Sequence, residues 1–252
     1  MKIADGIEML SISAMVLGRV NTIYPTLLYD NETVLLVDTG FPGQLPLLRE
    51  AIEKAGIPYT KLNKVIITHQ DIDHIGNLAA IQNESPYQIE VFSSEQEKPF
   101  IQGEKRLVKM MKPEAIEKAV ESLPKDLPEE MRKAFKYTLE NPPKGTIDRV
   151  VEDGQILPYC GGITVILTPG HTPGHVCLYH QPSKTLIAGD AMNLIDGQLT
   201  GPNPQYTNNV NEAFESLKKL NMFDIERVIS YHGGLFQGNV NQSIEEITKN
   251  NI

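Results

Sequence analysis

The stretch ITHQDIDHIGN, residues 67–77, places His69, Asp71, Asp73 and His74 within six residues, directly after the apolar run KVII. The chain holds only six histidines in all, and imidazoles interleaved with carboxylates form the donor set that zinc and harder divalent ions take. LNKVIITH reads as a short buried strand and IGNLAAIQN as the start of a helix. The cluster therefore sits at the carboxyl end of a strand, where α/β folds place their ligands.

Toward the N-terminus, TIYPTLLYD and TVLLVDTG flank Asn31-Glu32 and predict a hairpin that ends at Asp38-Thr39-Gly40. LPLLREAIEKAG follows with helical spacing and stops at Gly56. Toward the C-terminus, GGITVILTPGHTPGHVCLYH predicts two strands around a loop that carries His171. KTLIAGDA predicts a strand closed by Asp190, and ERVISYHGG a last strand ending in His232. TVLLVDTG and KTLIAGDA are alike, each an apolar strand closed by an aspartate in a turn of small residues. A β-β-α-β duplication of this kind brings both sets of strand ends to one edge of a two-sheet layer.

Seven candidate ligands result: His69, Asp71, Asp73, His74, His171, Asp190 and His232. One zinc ion takes about four ligands, so seven suit two ions, with Asp190 as the natural bridge. Side chains at alternate positions send His69 and Asp71 to one ion, while Asp73 and His74 turn to the other. Each residue also has a plainer role open to it. Asp71 and Asp73 are good helix N-caps, His171 is a possible turn residue, and His232 can serve a backbone group. The joint occurrence at strand ends favours the metal reading.

THQDIDHIGN, TPGHTPGH, IAGDA and SYHGG, with the early VDTG, resemble in order the motifs of the metallo-β-lactamase fold superfamily, over nearly the whole chain. The resemblance implies an α/β fold, an αβ/βα four-layer sandwich, with a dinuclear site at one edge. It places His69, Asp71 and His171 on the first metal, Asp73, His74 and His232 on the second, and Asp190 between them. Asp38 matches an aspartate that supports such sites from behind the ligands. One position departs from the family's HxHxDH pattern, because Asp71 stands where a second histidine is usual. A third carboxylate makes the centre less positive, which raises the pKa of bound water and favours harder ions at the first site. The cofactors expected are two divalent metal ions, zinc first, with manganese or iron as alternatives. A second option keeps Asp71 off the metal and leaves the first site weak or empty.

A chain of 252 residues, 40% hydrophobic, can bury one large core, and one domain is expected. The formal charge of -9 disfavours nucleic acid as a partner. No apolar run reaches the length of a membrane span, and Asp5 and Glu8 stand where a secretory signal would be basic, so a cytoplasmic protein is expected. Cys160 and Cys177 form no paired motif and read as packing residues. His175 and His180 read as structural, His175 ordering its loop or supporting the ligands.

Between His74 and His171 lie 96 residues, and the excess reads as a mostly helical cap insertion at about 95–149. Residues 104–149 hold eleven of the 23 basic residues and nine acids, a net of +2 against -11 for the rest. Their spacing predicts three short helices punctuated by prolines, with Leu107, Met110, Met111, Met131, Phe135 and Tyr137 lining an apolar pocket or packing the cap.

The reaction expected is hydrolysis. A hydroxide held by the dinuclear centre attacks an ester, lactone, thioester or amide carbonyl of a small molecule, and Asp73 is the candidate catalytic group that manages the proton. No GxSxG nucleophile motif and no P-loop offers another route. A lactonase-like reading fits the size, although AMNLIDG after Asp190 lacks the tyrosine of quorum-quenching lactonases. Two other readings stay open, a diiron oxidoreductase of the same fold and a catalytically silent metal-binding relative. A small-molecule substrate and a possible homodimer complete the expected partners.

Overall fold

The structure is a computed structural model that describes residues 1–85 and 88–249. Two sheets dominate the described residues. The first is built from β1 (Lys2–Ala4), β2 (Ile7–Met9), β5 (Thr26–Tyr29), β6 (Val34–Val37), β7 (Lys64–Ile66), β8 (Glu90–Ser94) and β9 (Arg149–Val151), paired in that order. A separate hairpin, β3 (Ile12–Val16) with β4 (Arg19–Ile23), stands beside it. The second sheet pairs β10 (Ile156–Leu157), β11 (Ile163–Leu167), β12 (Val176–His180), β13 (Thr185–Gly189), β16 (Arg227–Ser230) and β17 (Gly234–Gln237). β14 (Asn193–Ile195) and β15 (Gln198–Thr200) form a small hairpin between β13 and β16.

Period-two alternation sorts the strand residues into layers. Leu28, Leu35, Val37 and Ile66 of the first sheet meet Val165, Leu178, Ile187 and Ile229 of the second in a core between the sheets. Their neighbours Leu27, Leu36, Val65 and Val91 point outward, onto Leu48 and Ile52 of α1 (Leu45–Lys54) and onto Leu78 and Ile81 of α3 (Leu78–Glu84). On the far side, Cys177, Leu186 and Val228 pack on Leu217 of α7 (Val210–Leu217) and on Val240 and Ile244 of α8 (Val240–Lys249). The layers are thus helix, sheet, sheet, helix, the expected αβ/βα sandwich. Each fully buried Val, Leu or Ile contributes about 1.5–3 kcal/mol to that assembly.

The two sheets share a strand pattern. β5 and β6 are antiparallel and β6 then runs parallel to β7, just as β12 and β13 are antiparallel and β13 runs parallel to β16. The paired motifs VDTG and AGDA close β6 and β13, so the duplicated pattern read in the sequence corresponds to equivalent strands.

Three expectations need correction. TIYPTLLYD is split, since Pro25 has no N–H to give a ladder; Thr22 and Ile23 pair with Ser13 and Ile12 in β4, and β5 begins at Thr26. The strand ERVIS stops at Ser230, and His232 lies in the turn to one more strand, β17, with Gly233 and Gly234 both at positive φ. Beyond α4 (Lys98–Ile101), residues 104–149 form two α-helices, α5 (Ala115–Glu121) and α6 (Glu129–Glu140), and a 3-10 turn at Val108–Met110 rather than three helices. Leu107 is buried and Met110 packs against the same core, whereas Met111 and Tyr137 are solvent-facing, 57% and 67% exposed. Cys160 and Cys177 are buried free thiols, and burial pushes both up to about 12, in keeping with packing roles.

Candidate metal centre

Strand ends deliver the site. β7 runs into Thr68 and His69, and one turn of helix, α2 (Ile72–Ile75), then carries Asp73 and His74. The loop between β11 and β12 supplies His171, the end of β13 supplies Asp190, and the turn after β16 supplies His232. Gly189 sits at φ +50°, and a Cβ there would lie 2.6 Å from His175 Nε2, so only glycine lets β13 close onto this histidine before Asp190.

All seven residues picked from the sequence converge. His69, Asp71, His171 and Asp190 form one group and Asp73, His74 and His232 another, the ligand atoms of each lying within 4.8 Å of one another. Asp190 faces both: Oδ2 lies 3.4 Å from His171 Nε2, and Oδ1 lies 3.3 Å from His74 Nε2 and 3.5 Å from His232 Nε2. Asp73 Oδ2 is 3.1 Å from His232 Nε2. His69, His74 and His171 make a buried floor, while the Asp73 and His232 side chains, 19% and 32% exposed, reach the rim. Asp71 holds the backbone N-cap position of α2 but makes no side-chain cap bond, so its carboxylate is turned into the site rather than onto the helix.

Hydrogen bonds fix which nitrogen each imidazole offers. Asp38 Oδ1 accepts the Thr68 N–H (2.8 Å), and its Oδ2 accepts the Thr68 hydroxyl (2.8 Å) and His74 Nδ1–H (2.9 Å). With its proton given to Asp38, Thr68 Oγ1 can only accept from His69 Nδ1, 3.0 Å away. Thr207 Oγ1 gives its proton to the Asn203 carbonyl and faces His171 Nδ1 at 3.5 Å in the same sense. All three histidines therefore carry hydrogen on Nδ1 and turn Nε2 to the centre, the orientation a ligating histidine takes. Tyr231 supports the same wall, its ring 3.9 Å from that of His74 and its hydroxyl donating to the Asp73 carbonyl at 2.5 Å.

The donor set fits divalent ions. His69 Nε2, His74 Nε2 and Asp190 Oδ1 are buried and, among the described residues, have no hydrogen-bond partner. A buried polar atom left unmatched costs about 1–3 kcal/mol, and cations bound in the two groups would engage all three. The electrostatics agree. Burial alone would depress His74, but Asp38, Asp190 and Asp73 outweigh it and hold its pKa well above the usual value, so the carboxylates favour a positive charge at Nε2, a proton where no ion is bound. Burial is likewise overcome at His232, which Asp190 and Asp73 raise to about 10. His69 goes the other way, to about 4, through burial and the neighbouring His74. For Asp190, His232 and His74 outweigh burial and keep the carboxylate well below its usual range.

His175 is buried with both nitrogens engaged. Nε2 accepts the Asp190 N–H at 3.1 Å and Nδ1 lies 2.8 Å from Thr168 Oγ1, so it positions Asp190 rather than ligating. His180 is occupied by Ser183 and the Cys160 carbonyl, away from the centre. Two residues that sequence reading passed over also matter. Glu97, fully buried, accepts the Gln70 N–H, the Gln70 side-chain amide and the Gly174 N–H, which ties the His69 loop to the His171 loop. Burial outweighs those bonds and raises its pKa. Lys109 of the 3-10 turn donates to Asp71 Oδ2 and lies 3.0 Å from His171 Nε2. In SEQEKP and LVKMMK neither residue differs from a solvated surface charge.

Comparison with known proteins agrees with this architecture. The sequence profile of the metallo-beta-lactamase superfamily matches residues 18–232. YflN of Bacillus subtilis (strain 168), named a probable metallo-hydrolase, is 26% identical over 214 residues, covering 80% of this chain and 76% of that protein. A hydroxyacylglutathione hydrolase, GloC of Haemophilus influenzae, is 26% identical over 170 residues, covering 66% of this chain and 65% of that protein. The crystal structure of a metallo-beta-lactamase family protein from Thermus thermophilus superposes with a TM-score of 0.69 at 24% identity, covering 99% of this chain and 80% of that one. The chain belongs to the metallo-beta-lactamase superfamily.

Proposed function

We propose that the protein is a metal-dependent hydrolase that cleaves the carbonyl bond of a small-molecule ester, lactone, thioester or amide. The observation that carries this reading is the set of buried, unpartnered atoms on His69, His74 and Asp190, which share one space with Asp71, Asp73, His171 and His232. Two divalent ions, zinc first and manganese or iron next, would be held by those seven side chains; when bound they acidify water and polarise a carbonyl. The chain's part is to aim the donors. Asp38, through Thr68 and His74, fixes two imidazoles in the ligating tautomer, and His175 fixes the backbone of Asp190. At Asp73, His74 and His232 outweigh burial and lower the pKa, so this rim carboxylate is ionised at neutral pH and can accept a proton beside the substrate. The same reading takes the protein as cytoplasmic; no helix of the described residues is long and apolar enough to cross a membrane.

Thioesters head the substrate panel, because two relatives are named hydroxyacylglutathione hydrolases. Turnover of at least one thioester, ester or lactone is expected, abolished by a chelator and restored by zinc or manganese. Protein that carries metal and turns over nothing in the panel would contradict the hydrolase. The carboxylate of Asp71, 3.3 Å from His69 Nε2, supports a second reading, a diiron oxidoreductase, since oxygen donors suit harder ions. Iron with a visible absorption band in the purified protein would favour it.

A further inference from the structure

Lys109 is placed by a chain of contacts that starts at the site itself. Glu97 fixes the side-chain amide of Gln70, Gln70 Oε1 accepts the Val108 N–H at 2.6 Å, and the next residue sends its ammonium back onto Asp71. Gln70 lies between the two ligand candidates His69 and Asp71, so one short segment orients both the acceptors and the lysine.

The acceptors explain why a cation belongs there. His171 Nε2 and Asp71 Oδ2 stand 3.0 Å apart, and with hydrogen on Nδ1 both present lone pairs. Two such atoms repel unless a cation lies between them, and Lys109 Nζ contacts both. A divalent ion in the first group needs the same two lone pairs at about 2.0–2.2 Å. The ammonium and the ion therefore exclude one another. No lysine reaches Asp73 or His232 among the contacts of the described residues.

We propose that Lys109 is a tethered competitor for the first metal position, so that the Asp73, His74 and His232 group fills first and the His69, Asp71 and His171 group fills only as a second ion displaces the lysine. The inference rests on the metal-centre reading. Asp71 has a defined part in it, because a histidine at that position would offer the ammonium no carboxylate to pair with. The tether makes the lysine effective, since an attached group competes at a high local concentration.

The test is calorimetric titration of metal-stripped full-length protein with zinc, alongside Lys109→Met and Lys109→Arg. Lys109 is partly exposed and the Val108 N–H bond to Gln70 does not use its side chain, so the Met variant keeps the segment in place. Wild type is expected to bind one zinc tightly and a second more weakly. Lys109→Met should tighten the second equivalent by about 10- to 100-fold, the weight of one charge-assisted hydrogen bond, while Lys109→Arg keeps it weak. Two equivalents with the same affinities in wild type and Lys109→Met would overturn the lysine's role and leave the metal centre standing. No zinc binding by either protein would overturn the metal centre and the lysine's role with it.

Discussion

Asp190→Ala is expected to leave a folded protein that holds at most one divalent ion and loses turnover by a factor on the order of 10³, about 4 kcal/mol in the barrier. The reason is geometric. One carboxylate oxygen faces His74 and His232 and the other faces His171, so this side chain is the member that joins the two ligand groups. Its backbone stays held by His175, through an N–H that alanine also has. Elemental analysis beside a thermal melt checks both parts. A variant that keeps two ions and wild-type turnover would remove Asp190 from the centre.

The second large effect is expected at Asp38, which is 1% exposed. Asp38→Ala strands three donors, the Thr68 N–H, the Thr68 hydroxyl and His74 Nδ1–H, each costing about 1–3 kcal/mol when buried unmatched. It also puts alanine at φ +63°, a left-handed conformation that costs about 1–2 kcal/mol without an Asp or Asn side chain. A loss on the order of 4 kcal/mol lowers Tm by roughly 10 °C in a chain of this size. Asp38→Asn separates stability from function. It tolerates the left-handed turn and keeps one acceptor oxygen, yet that oxygen cannot stand at both carboxylate positions, so either the Thr68 N–H or the pair of Thr68 hydroxyl and His74 Nδ1–H faces an amide NH2 instead. The fold should survive, while affinity for the ion beside His74 drops by about 10- to 100-fold, the usual effect of losing a partner behind a ligand. Wild-type melting and wild-type metal affinity in both variants would show that Asp38 does not orient the site.

Much of this was legible in the sequence because the chemistry sits in contiguous motifs at the ends of apolar strands. His69, Asp71, Asp73 and His74 share one turn, and Asp190 and His232 each follow a short strand segment, TLIAG and RVISY. The two-sheet layer followed from two similar strand patterns, and the resemblance to the metallo-β-lactamase motifs implied the full sandwich. What stayed hidden depends on distant pairings. Lys109 is one of eleven basic residues in a stretch that reads as solvated helix, and its role comes from the Gln70 to Val108 bond, 38 residues apart in the chain. Glu97 looks like a surface acid and becomes a buried anchor only because the Gly174 loop folds over it. The exposure of Met111 and Tyr137 stayed hidden for a related reason, since apolar spacing in a short segment does not say which face its neighbours cover.

Divalent ions engage the buried, unpartnered atoms on His69, His74 and Asp190 if the metal centre is real. Crystals of the protein grown with excess zinc, measured on both sides of the zinc absorption edge, test it directly. Anomalous peaks are expected at about 2.0–2.1 Å from His74 Nε2 and, once the second position is filled, from His69 Nε2. A map with no anomalous peak at either nitrogen, and ordered water bonded to both, would contradict it.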